Sequence, residues 1–463
     1  MSLIKTISGI RGTIGGVVGD NLTPVDAVKF TAAFATLLQR RNPGRRLTLV
    51  VGRDARLSGA MVDRLVVGTL QGMGIDIIET GLSTTPTTEM TVIDKHADGG
   101  IIITASHNPK HWNALKLLNS EGEFINAEEG HEVLRLADSD EVTFAEVNEL
   151  GKVTEDLNTI DHHIERVLAL PLVDREAIVK AQFRVAVDAV NSTGGIAIPR
   201  LLRALGVEEI VELNCEPTGN FAHNPEPIPQ NLAQIARTVP EQHCDLGIVV
   251  DPDVDRLALI CENGEMFGEE YTLVSVADYV LQHTPGNTVS NMSSTRALRD
   301  ITEKRYGHSY SASAVGEVNV TTLMKETHAV IGGEGNGGII YPALHYGRDA
   351  LVGVALFLTL LAKKNMKVSE LRKTFPEYVI SKNRKDLTPG MDVDTILHAM
   401  TEKYKSEKIS TIDGVKIDFA DSWAHLRKSN TEPIIRIYCE AHSATEADAL
   451  AQKIIKDIEN CIN

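Results

Sequence analysis

The chain has 463 residues and a formal net charge of −17, and 43% of its residues are hydrophobic. Its length exceeds what one hydrophobic core supports and predicts about three or four domains. The acidic balance argues against nucleic acid or an anionic membrane as a partner. The five cysteines have no metal-ligand spacing, there is no signal-peptide pattern, and the longest apolar run, residues 350–362, is too short to span a bilayer. These features predict a cytoplasmic protein.

Short apolar runs alternate with helical patterns along the chain. Each run ends in a loop rich in Gly or acidic residues, and the four clearest lie at residues 47–51, 183–187, 246–250 and 329–331. This alternation indicates α/β units, in which ligand-binding groups gather beyond the carboxyl ends of the strands. We therefore expect the loops after these strands to carry the chemistry.

Polar or Lys-rich breaks divide the chain into four predicted domains, residues 1–155, 156–256, 257–368 and 369–463. The first three are predicted to be related α/β domains with mixed sheets. In the fourth, strand patterns and a final amphipathic helix predict a smaller α+β domain; they lie at residues 414–420, 434–440 and 444–461.

The loop Thr104-Ala-Ser-His-Asn-Pro109 follows a buried strand pattern at residues 100–103. It places the Ser106 hydroxyl on a sharp turn, where it is a poor nucleophile unless a neighbouring group activates it. His107 and Lys116 could hold a dense negative charge there, such as a phosphate on Ser106. The alternative is a turn that Ser and Asn merely cap.

With Asn113 and Lys116 downstream, this loop resembles the active-serine loop of the α-D-phosphohexomutases. That superfamily includes phosphoglucomutase, phosphomannomutase and phosphoglucosamine mutase. The resemblance covers nearly the whole chain, because four such loops occur in the family's order. It implies an active site in a central cleft, a phosphoryl group on Ser106, His107 beside it, and Lys116 as the acid/base. The motif Ser8-Gly-Ile-Arg-Gly12 resembles the N-terminal loop of the family, which implies that Arg11 contacts the transferring phosphoryl group.

A second loop, Asp251-Pro-Asp-Val-Asp-Arg256, places three carboxylates at alternate positions after a buried strand. Such a charge cluster needs compensation, and Mg²⁺ suits carboxylate and phosphate oxygens. The resemblance implies that Asp251, Asp253 and Asp255 bind Mg²⁺ together with an oxygen on Ser106, and that Arg256 faces the phosphate. A rival interpretation is a phosphatase with Asp251 as its nucleophile, but that mechanism does not explain the Ser106 loop.

A third, glycine-rich loop runs from Gly332 to Gly338 and contains Glu334 and Asn336. A carboxylate and an amide suit hydroxyl recognition better than phosphate binding, and the loop resembles the family's sugar-binding loop. Gly338 stands where the common bacterial form has His, so the general base is open, and Glu317 is a candidate. This form of the loop resembles that of archaeal-type phosphoglucosamine mutases.

A fourth loop, after Arg427, combines two arginines, two hydroxyls and an amide, which together make a multi-donor anion site. It resembles the family's phosphate-binding loop, and the implied ligands of the phosphate that is not transferred are Arg427, Ser429, Asn430, Thr431 and Arg436.

Three lesser features can be weighed on local pattern. His107 and His111 have the i, i+4 spacing of two zinc ligands on a helix, but Pro109 between them argues against that helix. Arg53 and Arg56 could add to a basic floor under Ser106, although surface positions are the default for arginine. His162 and His163 follow Asp161 in a helical pattern and are interpreted as helix surface.

The resemblance implies reversible phosphoryl transfer between O1 and O6 of a hexose phosphate through phosphoserine and a hexose 1,6-bisphosphate. The form of the glycine-rich loop favours glucosamine 6-phosphate to glucosamine 1-phosphate, and a phosphomannomutase or phosphoglucomutase is the alternative. The expected partner is a hexose phosphate, and the chain is expected to be a monomer or homodimer.

Overall fold

The computed structural model describes residues 3–6, 9–387, 392–428 and 434–462. The chain forms two compact units. The first comprises Met1–Thr272 with Gly337–Leu371, and the second comprises Leu273–Asn336 with Arg372–Asn463. The boundaries predicted at residues 155, 256 and 368 stay predictions.

The N-terminal part of the first unit is a seven-stranded mixed sheet with its helices. In chain order its elements are β1 (Ile4–Thr6), β2 (Gly9–Thr13), α1 (Pro24–Arg41), β3 (Thr48–Arg53), α2 (Gly59–Gly72), β4 (Asp76–Leu82), α3 (Thr85–Asp94), β5 (Gly99–Ile103), β6 (Trp112–Leu118), α4 (Ala127–Ala137), a 3₁₀ turn (Val147–Glu149) and β7 (Val153–Glu155). The strand order is β1-β2-β6-β5-β3-β4-β7. The neighbouring strands β5, β3, β4 and β7 are parallel to one another. Strand β6 is antiparallel to β5, and β2 and β1 continue the sheet with antiparallel pairing.

A smaller four-stranded sheet follows in the same unit. Its elements are α5 (Thr159–Leu168), α6 (Arg175–Ala181), β8 (Arg184–Asp188), α7 (Gly194–Leu205), β9 (Glu209–Leu213), a 3₁₀ turn (Pro229–Asn231), α8 (Ala233–Glu241), β10 (Leu246–Val250) and β11 (Leu257–Cys261). The order is β11-β10-β8-β9, with only β11 antiparallel to its neighbour. All five residues of β10 are buried, as its unbroken apolar sequence predicts.

The middle of the chain passes through the second unit and returns to the first. The elements are α9 (Glu269–His283), β12 (Thr288–Asn291), α10 (Arg296–Asp300), a π turn (Ile301–Arg305), β13 (Tyr310–Ser313), α11 (Glu317–Thr327), β14 (Ile331–Glu334), β15 (Gly338–Ile340), α12 (Ala350–Lys364) and α13 (Val368–Arg372). Within the second unit, β13, β12 and β14 form a parallel sheet. Helix α12 is buried from Ala350 to Leu361, which confirms the apolar run as a buried helix.

The C-terminal part of the second unit is an antiparallel sheet with two helices. Its elements are β16 (Val379–Asp386), α14 (Val393–Lys403), β17 (Lys408–Ser410), β18 (Val415–Asp418), β19 (Trp423–Lys428), β20 (Ile434–Ala441) and α15 (Ala444–Ile462), in sheet order β16-β20-β19-β18-β17. The mixed sheets and this smaller α+β part confirm the predicted fold class.

Two further observations concern the described residues alone. Four cysteines are free thiols, namely Cys215, Cys244, Cys261 and Cys439. In the described ranges, no helix has both the length and the apolar character needed to cross a membrane.

Candidate active site

The turn that carries Ser106 begins where β5 ends. Ser106 is 3% exposed and has a φ of 47°, in the left-handed region that costs a non-glycine residue energy unless the surroundings hold it. The Ser106 N–H donates to Thr104 Oγ1 at 2.9 Å, and that hydroxyl donates to Asp54 Oδ2 at 2.7 Å. Residues 107–111 form no helix, so the i, i+4 spacing of His107 and His111 does not place them on one helical face, as a zinc site of that kind requires.

A buried arginine holds this turn in place. Arg56 is 1% exposed, which corrects the default expectation of a surface position. Its Nε pairs with Asp54 Oδ2 at 3.0 Å, and its two terminal nitrogens donate to four backbone carbonyl oxygens, those of Ser106, Asn108, Pro109 and Trp112. The sequence did not predict this role of Arg56, because every residue has a backbone carbonyl and the residue types therefore do not show which carbonyls accept its hydrogen bonds.

The Ser106 hydroxyl contacts the second predicted loop directly. Ser106 Oγ donates to Asp251 Oδ2 at 2.7 Å and lies 3.3 Å from His107 Nδ1. Burial, and after it the positive charges of Arg256 and Arg11, lowers the pKa of His107 well below its usual value. The imidazole next to Ser106 is therefore neutral at physiological pH.

Three fully buried carboxylates follow β10. One ligand oxygen from each of Asp251, Asp253 and Asp255 lies within 4.8 Å of the others. Burial, and then repulsion by Asp255 and Asp253, raises the pKa of Asp251 well above its usual value. Burial and the two neighbouring carboxylates therefore both disfavour the ionised form of Asp251.

Each of the last two aspartates has one oxygen engaged by protein donors and one that is not. Asp253 Oδ2 accepts from Thr85 Oγ1 and Lys116 Nζ, each at 2.6 Å. Asp255 Oδ2 accepts from the Arg348 guanidinium at 2.6 Å and from Lys116 Nζ at 3.4 Å. Within the described residues, Oδ1 of both aspartates is buried without a hydrogen-bond partner. Orphaned, inward carboxylate oxygens fit a hard divalent cation such as Mg²⁺.

Lys116 bridges the cluster from β6. Burial alone would lower the pKa of Lys116, but attraction by Asp253 and Asp255 outweighs burial and raises it. At Asp253, burial favours the protonated form, yet the contacts with Lys116 and Thr85 prevail and hold its pKa below the usual value. The pair is therefore ionised, and Lys116 carries a proton at physiological pH.

Two arginines predicted at the phosphoryl group lie beside these residues. Arg11, in β2, donates to Asn108 Oδ1 at 2.7 Å. The Arg256 N–H donates to Asp251 Oδ1 at 3.2 Å. The first unit thus brings together all its predicted catalytic and metal-binding residues, and Thr85 and Arg348 join them. The run of threonines after Ser83 is the sequence feature that could have indicated Thr85. The structure buries these threonines, and buried hydroxyls need hydrogen-bond partners.

In the second unit, Glu334 ends β14 and is 5% exposed. Glu334 Oε1 accepts from Asn291 Nδ2 at 2.8 Å and from the Gly316 N–H at 3.1 Å. Glu317, the alternative base, follows Gly316 at the start of α11 and is buried, and Asn336 is partly exposed. The structure therefore holds the segment before Glu317 against the carboxylate predicted to read sugar hydroxyls.

The arginines of the predicted phosphate site face each other across two strands of the second unit. Arg427 in β19 and Arg436 in β20 are directly paired, and Arg384 in β16 pairs with Arg436 on its other side. Arg427 also forms an ion pair with Asp413 at 2.8 Å. Like charges directly opposite one another are destabilising, so this row suits an anion. The other predicted ligands lie outside the described residues; they are Ser429, Asn430 and Thr431.

Four regions of the chain match the domains of one family. The matches are "Phosphoglucomutase/phosphomannomutase, alpha/beta/alpha domain I" at residues 3–143, domain II at 161–264, domain III at 268–378 and the C-terminal domain at 365–457. The chain belongs to this family, within the α-D-phosphohexomutases, and it is a phosphohexomutase, an isomerase.

Individual relatives cover almost the whole chain. A phosphoglucomutase/phosphomannomutase of Thermococcus kodakarensis is 37% identical over 97% of this chain and 98% of its own length. A phosphoglucosamine/phosphogalactosamine mutase of Sulfurisphaera tokodaii is 33% identical over 97% and 98%. The crystal structure of a phosphoglucomutase/phosphomannomutase family protein from Burkholderia thailandensis is 25% identical, with a TM-score of 0.84 over 98% of this chain and 96% of that one. The N-acetylphosphoglucosamine mutase of Aspergillus fumigatus, solved with GlcNAc-6P and magnesium, has a TM-score of 0.58 at 15% identity over 100% and 96%.

Proposed function

We propose that this phosphohexomutase moves a phosphoryl group between O1 and O6 of a hexose phosphate by way of phospho-Ser106 and a hexose 1,6-bisphosphate. The observation that carries the proposal is the 2.7 Å contact between Ser106 Oγ and Asp251, in a buried cluster of three aspartates. This contact supports the proposal because the hydroxyl that would carry the phosphoryl group lies against a carboxylate that would bind Mg²⁺. Asp251 is engaged by Ser106 and by the Arg256 N–H, which disfavours it as the nucleophile of a phosphatase.

Mg²⁺ would be held by Asp251, Asp253, Asp255 and an oxygen on Ser106, where its charge would stabilise the transferring phosphoryl group. The neighbouring side chains have separate tasks. Arg11 and Arg256 would bind the equatorial phosphoryl oxygens. Lys116 Nζ, which is protonated, would give a proton to the Ser106 oxygen or the sugar oxygen that leaves and would regain it from the hydroxyl that attacks.

The second unit would bind the rest of the substrate. Glu334 would accept hydrogen bonds from two sugar hydroxyls, with Asn336 beside it. Arg427 and Arg436, together with Ser429, Asn430 and Thr431, would grip the phosphate that is not reacting. This grip would retain the bisphosphate while it turns over to present its other phosphate. Glu317 is the candidate base in place of the family's histidine.

Glucosamine 6-phosphate and glucosamine 1-phosphate are the proposed substrate pair, supported by the form of the Glu334 loop and by the Sulfurisphaera relative's name. Glucose or mannose phosphates are the second candidate, supported by the name of the Thermococcus relative. Purified protein assayed with Mg²⁺, glucose 1,6-bisphosphate as activator and each of the three 6-phosphates decides between them through the relative kcat/KM values.

Replacing Ser106 tests the mechanism. Ser106→Ala should abolish isomerisation of every sugar phosphate while the protein stays folded. Its melting temperature should fall by no more than about 5 °C, because the change removes one hydrogen bond to the buried Asp251. Intact-mass and peptide spectra of the active enzyme should place a phosphoryl group on Ser106. Ser120→Ala, at an exposed serine of the same sheet region, is the matched control and should remain active. Full activity in Ser106→Ala would disprove the mechanism.

A further inference from the structure

One histidine of the sequence Asp161-His162-His163 takes no part in the proposed chemistry, yet it is built into the structure behind the metal ligands. His163, in α5, is 1% exposed, whereas His162 is exposed. This corrects the prediction that both lie on the helix surface. His163 Nδ1 is 3.0 Å from Thr87 Oγ1, and Nε2 is 3.0 Å from Asp349 Oδ2. The ring therefore joins helix α3 to the segment that begins α12.

The α3 end of this connection supports Asp253. Thr85 lies two residues before Thr87 in the first turn of α3. Its hydroxyl donates to Asp253 Oδ2 at 2.6 Å, and its N–H donates to the Asp253 carbonyl at 2.9 Å. Together with Lys116, that turn therefore engages Oδ2 of Asp253, and among the described residues Oδ1 is left without a hydrogen-bond partner.

The α12 end supports Asp255. Arg348 donates to Asp255 Oδ2 at 2.6 Å, and the Ala350 N–H donates to the Val254 carbonyl at 3.2 Å. Between them, Asp349 Oδ1 caps α12 by accepting N–H groups of its first turn. Burial favours the protonated form of Asp349, but His163 and then His345 outweigh it and lower its pKa. An ionised Asp349 is therefore a firm acceptor for His163.

We propose that His163 is a positioning residue for the metal centre. By holding Thr87 and Asp349 at one separation, it keeps Thr85 and Arg348 hydrogen-bonded to Oδ2 of Asp253 and Asp255. The Oδ1 atoms of those two aspartates are then left for the metal. This inference rests on the proposed role of the three aspartates, and it assigns His163 an effect on metal affinity and none on sugar binding. Partners beyond the ligands of a metal typically change its affinity by about 10- to 100-fold.

Mn²⁺ binding without substrate tests the proposal directly. Electron paramagnetic resonance titration of wild type, His163→Gln and the control His162→Gln should show binding about tenfold weaker in His163→Gln alone. The Mg²⁺ concentration for half-maximal activity should rise by the same factor. At saturating Mg²⁺, KM for the sugar phosphate should be unchanged. An unaltered Mn²⁺ affinity in a folded His163→Gln protein would overturn the proposal.

Two further variants guard against a purely structural effect. Thr87→Val removes the contact with His163 Nδ1 together with the hydrogen bond that Thr84 Oγ1 donates to Thr87 Oγ1. It should weaken Mn²⁺ binding even if His163→Gln fails to fold. Thr85→Val and His163→Gln should be non-additive when combined, because both act on Asp253. Additive losses would contradict the connection. Stoichiometric zinc that is present in wild type and lost in His163→Gln would also overturn it, because His163, His345 and Asp349 would then be metal ligands. If wild type itself binds no Mn²⁺, the proposed metal site is wrong as well.

Discussion

Removal of the Arg56 side-chain charge is the most demanding test of how Ser106, the proposed active serine, is held. Arg56→Met keeps most of the side chain's volume but deletes the ion pair with Asp54 and the hydrogen bonds to four carbonyls. Breaking a buried ion pair from one side costs about 3–5 kcal/mol, because the remaining charge loses its partner. For a domain of this size, that loss lowers the melting temperature by about 10 °C.

The same change should slow catalysis more than it weakens substrate binding. Without Arg56, the carbonyls around Ser106 lose their donors and the left-handed backbone at Ser106 is held less firmly. A displacement of about 1 Å at a reacting atom can cost about 100-fold in rate. Steady-state assays should therefore show a lower kcat, and calorimetry should show the lower melting temperature. Arg64→Met, at an exposed arginine of α2, is the matched control and should change neither.

The pH dependence of Arg56→Met follows from Asp54. Burial raises the pKa of Asp54 even with Arg56 beside it, and removal of the cation should raise it further. A carboxyl whose folded pKa lies above its unfolded pKa costs stability at high pH and less as the pH falls. The deficit in melting temperature should thus be smaller at pH 5 than at pH 8, and Asp54→Asn should restore part of it. A variant with wild-type stability at both pH values would refute the reasoning.

Three other outcomes can be measured independently. Asp253→Asn removes one anionic ligand and should weaken Mn²⁺ binding and kcat by about 100-fold or more; activity of the wild type that survives a strong chelator would contradict the site. Arg427→Ala loses charged hydrogen bonds worth about 1.5–3 kcal/mol, so both sugar monophosphates should bind about 10- to 100-fold more weakly and labelled bisphosphate should escape into solution; retention of bisphosphate as in wild type would refute the grip. Burial and then repulsion by Glu79 raise the pKa of Asp63 to about 7, so the charged form costs stability as the pH rises through that value; Asp63→Asn should raise the melting temperature at pH 8 but not at pH 4, and equal shifts at both would contradict it.

Sequence was informative where the chemistry is local. The alternating aspartates of residues 251–255 follow a strand, so their convergence could be predicted from spacing alone, and β10 begins and ends where its apolar run does. The position of His163 could also have been found. It lies three residues after Ile160 and four before Val167, which places it on the buried face of α5.

Other features could not be predicted because they depend on contacts far apart in the chain. Arg56 looks like any charged loop residue until residues some fifty positions later supply its acceptors. Arg348 stands next to a glycine-rich region, yet its guanidinium contacts Asp255, which is 93 positions away in sequence. Only the folded chain shows which oxygens of the aspartates are already engaged.

The row formed by Arg384, Arg436 and Arg427 has a practical consequence for work with this enzyme. Neighbouring strands carry three like charges side by side, and Asp413 offsets the charge of Arg427. A small oxyanion in the buffer should relieve the repulsion that remains. Sulfate, phosphate or citrate should therefore act as competitive inhibitors and, at the same time, raise the melting temperature of the second unit by mass action. Kinetic constants measured in phosphate buffer would understate the affinity for the sugar phosphate, whereas a zwitterionic buffer with chloride would report it correctly.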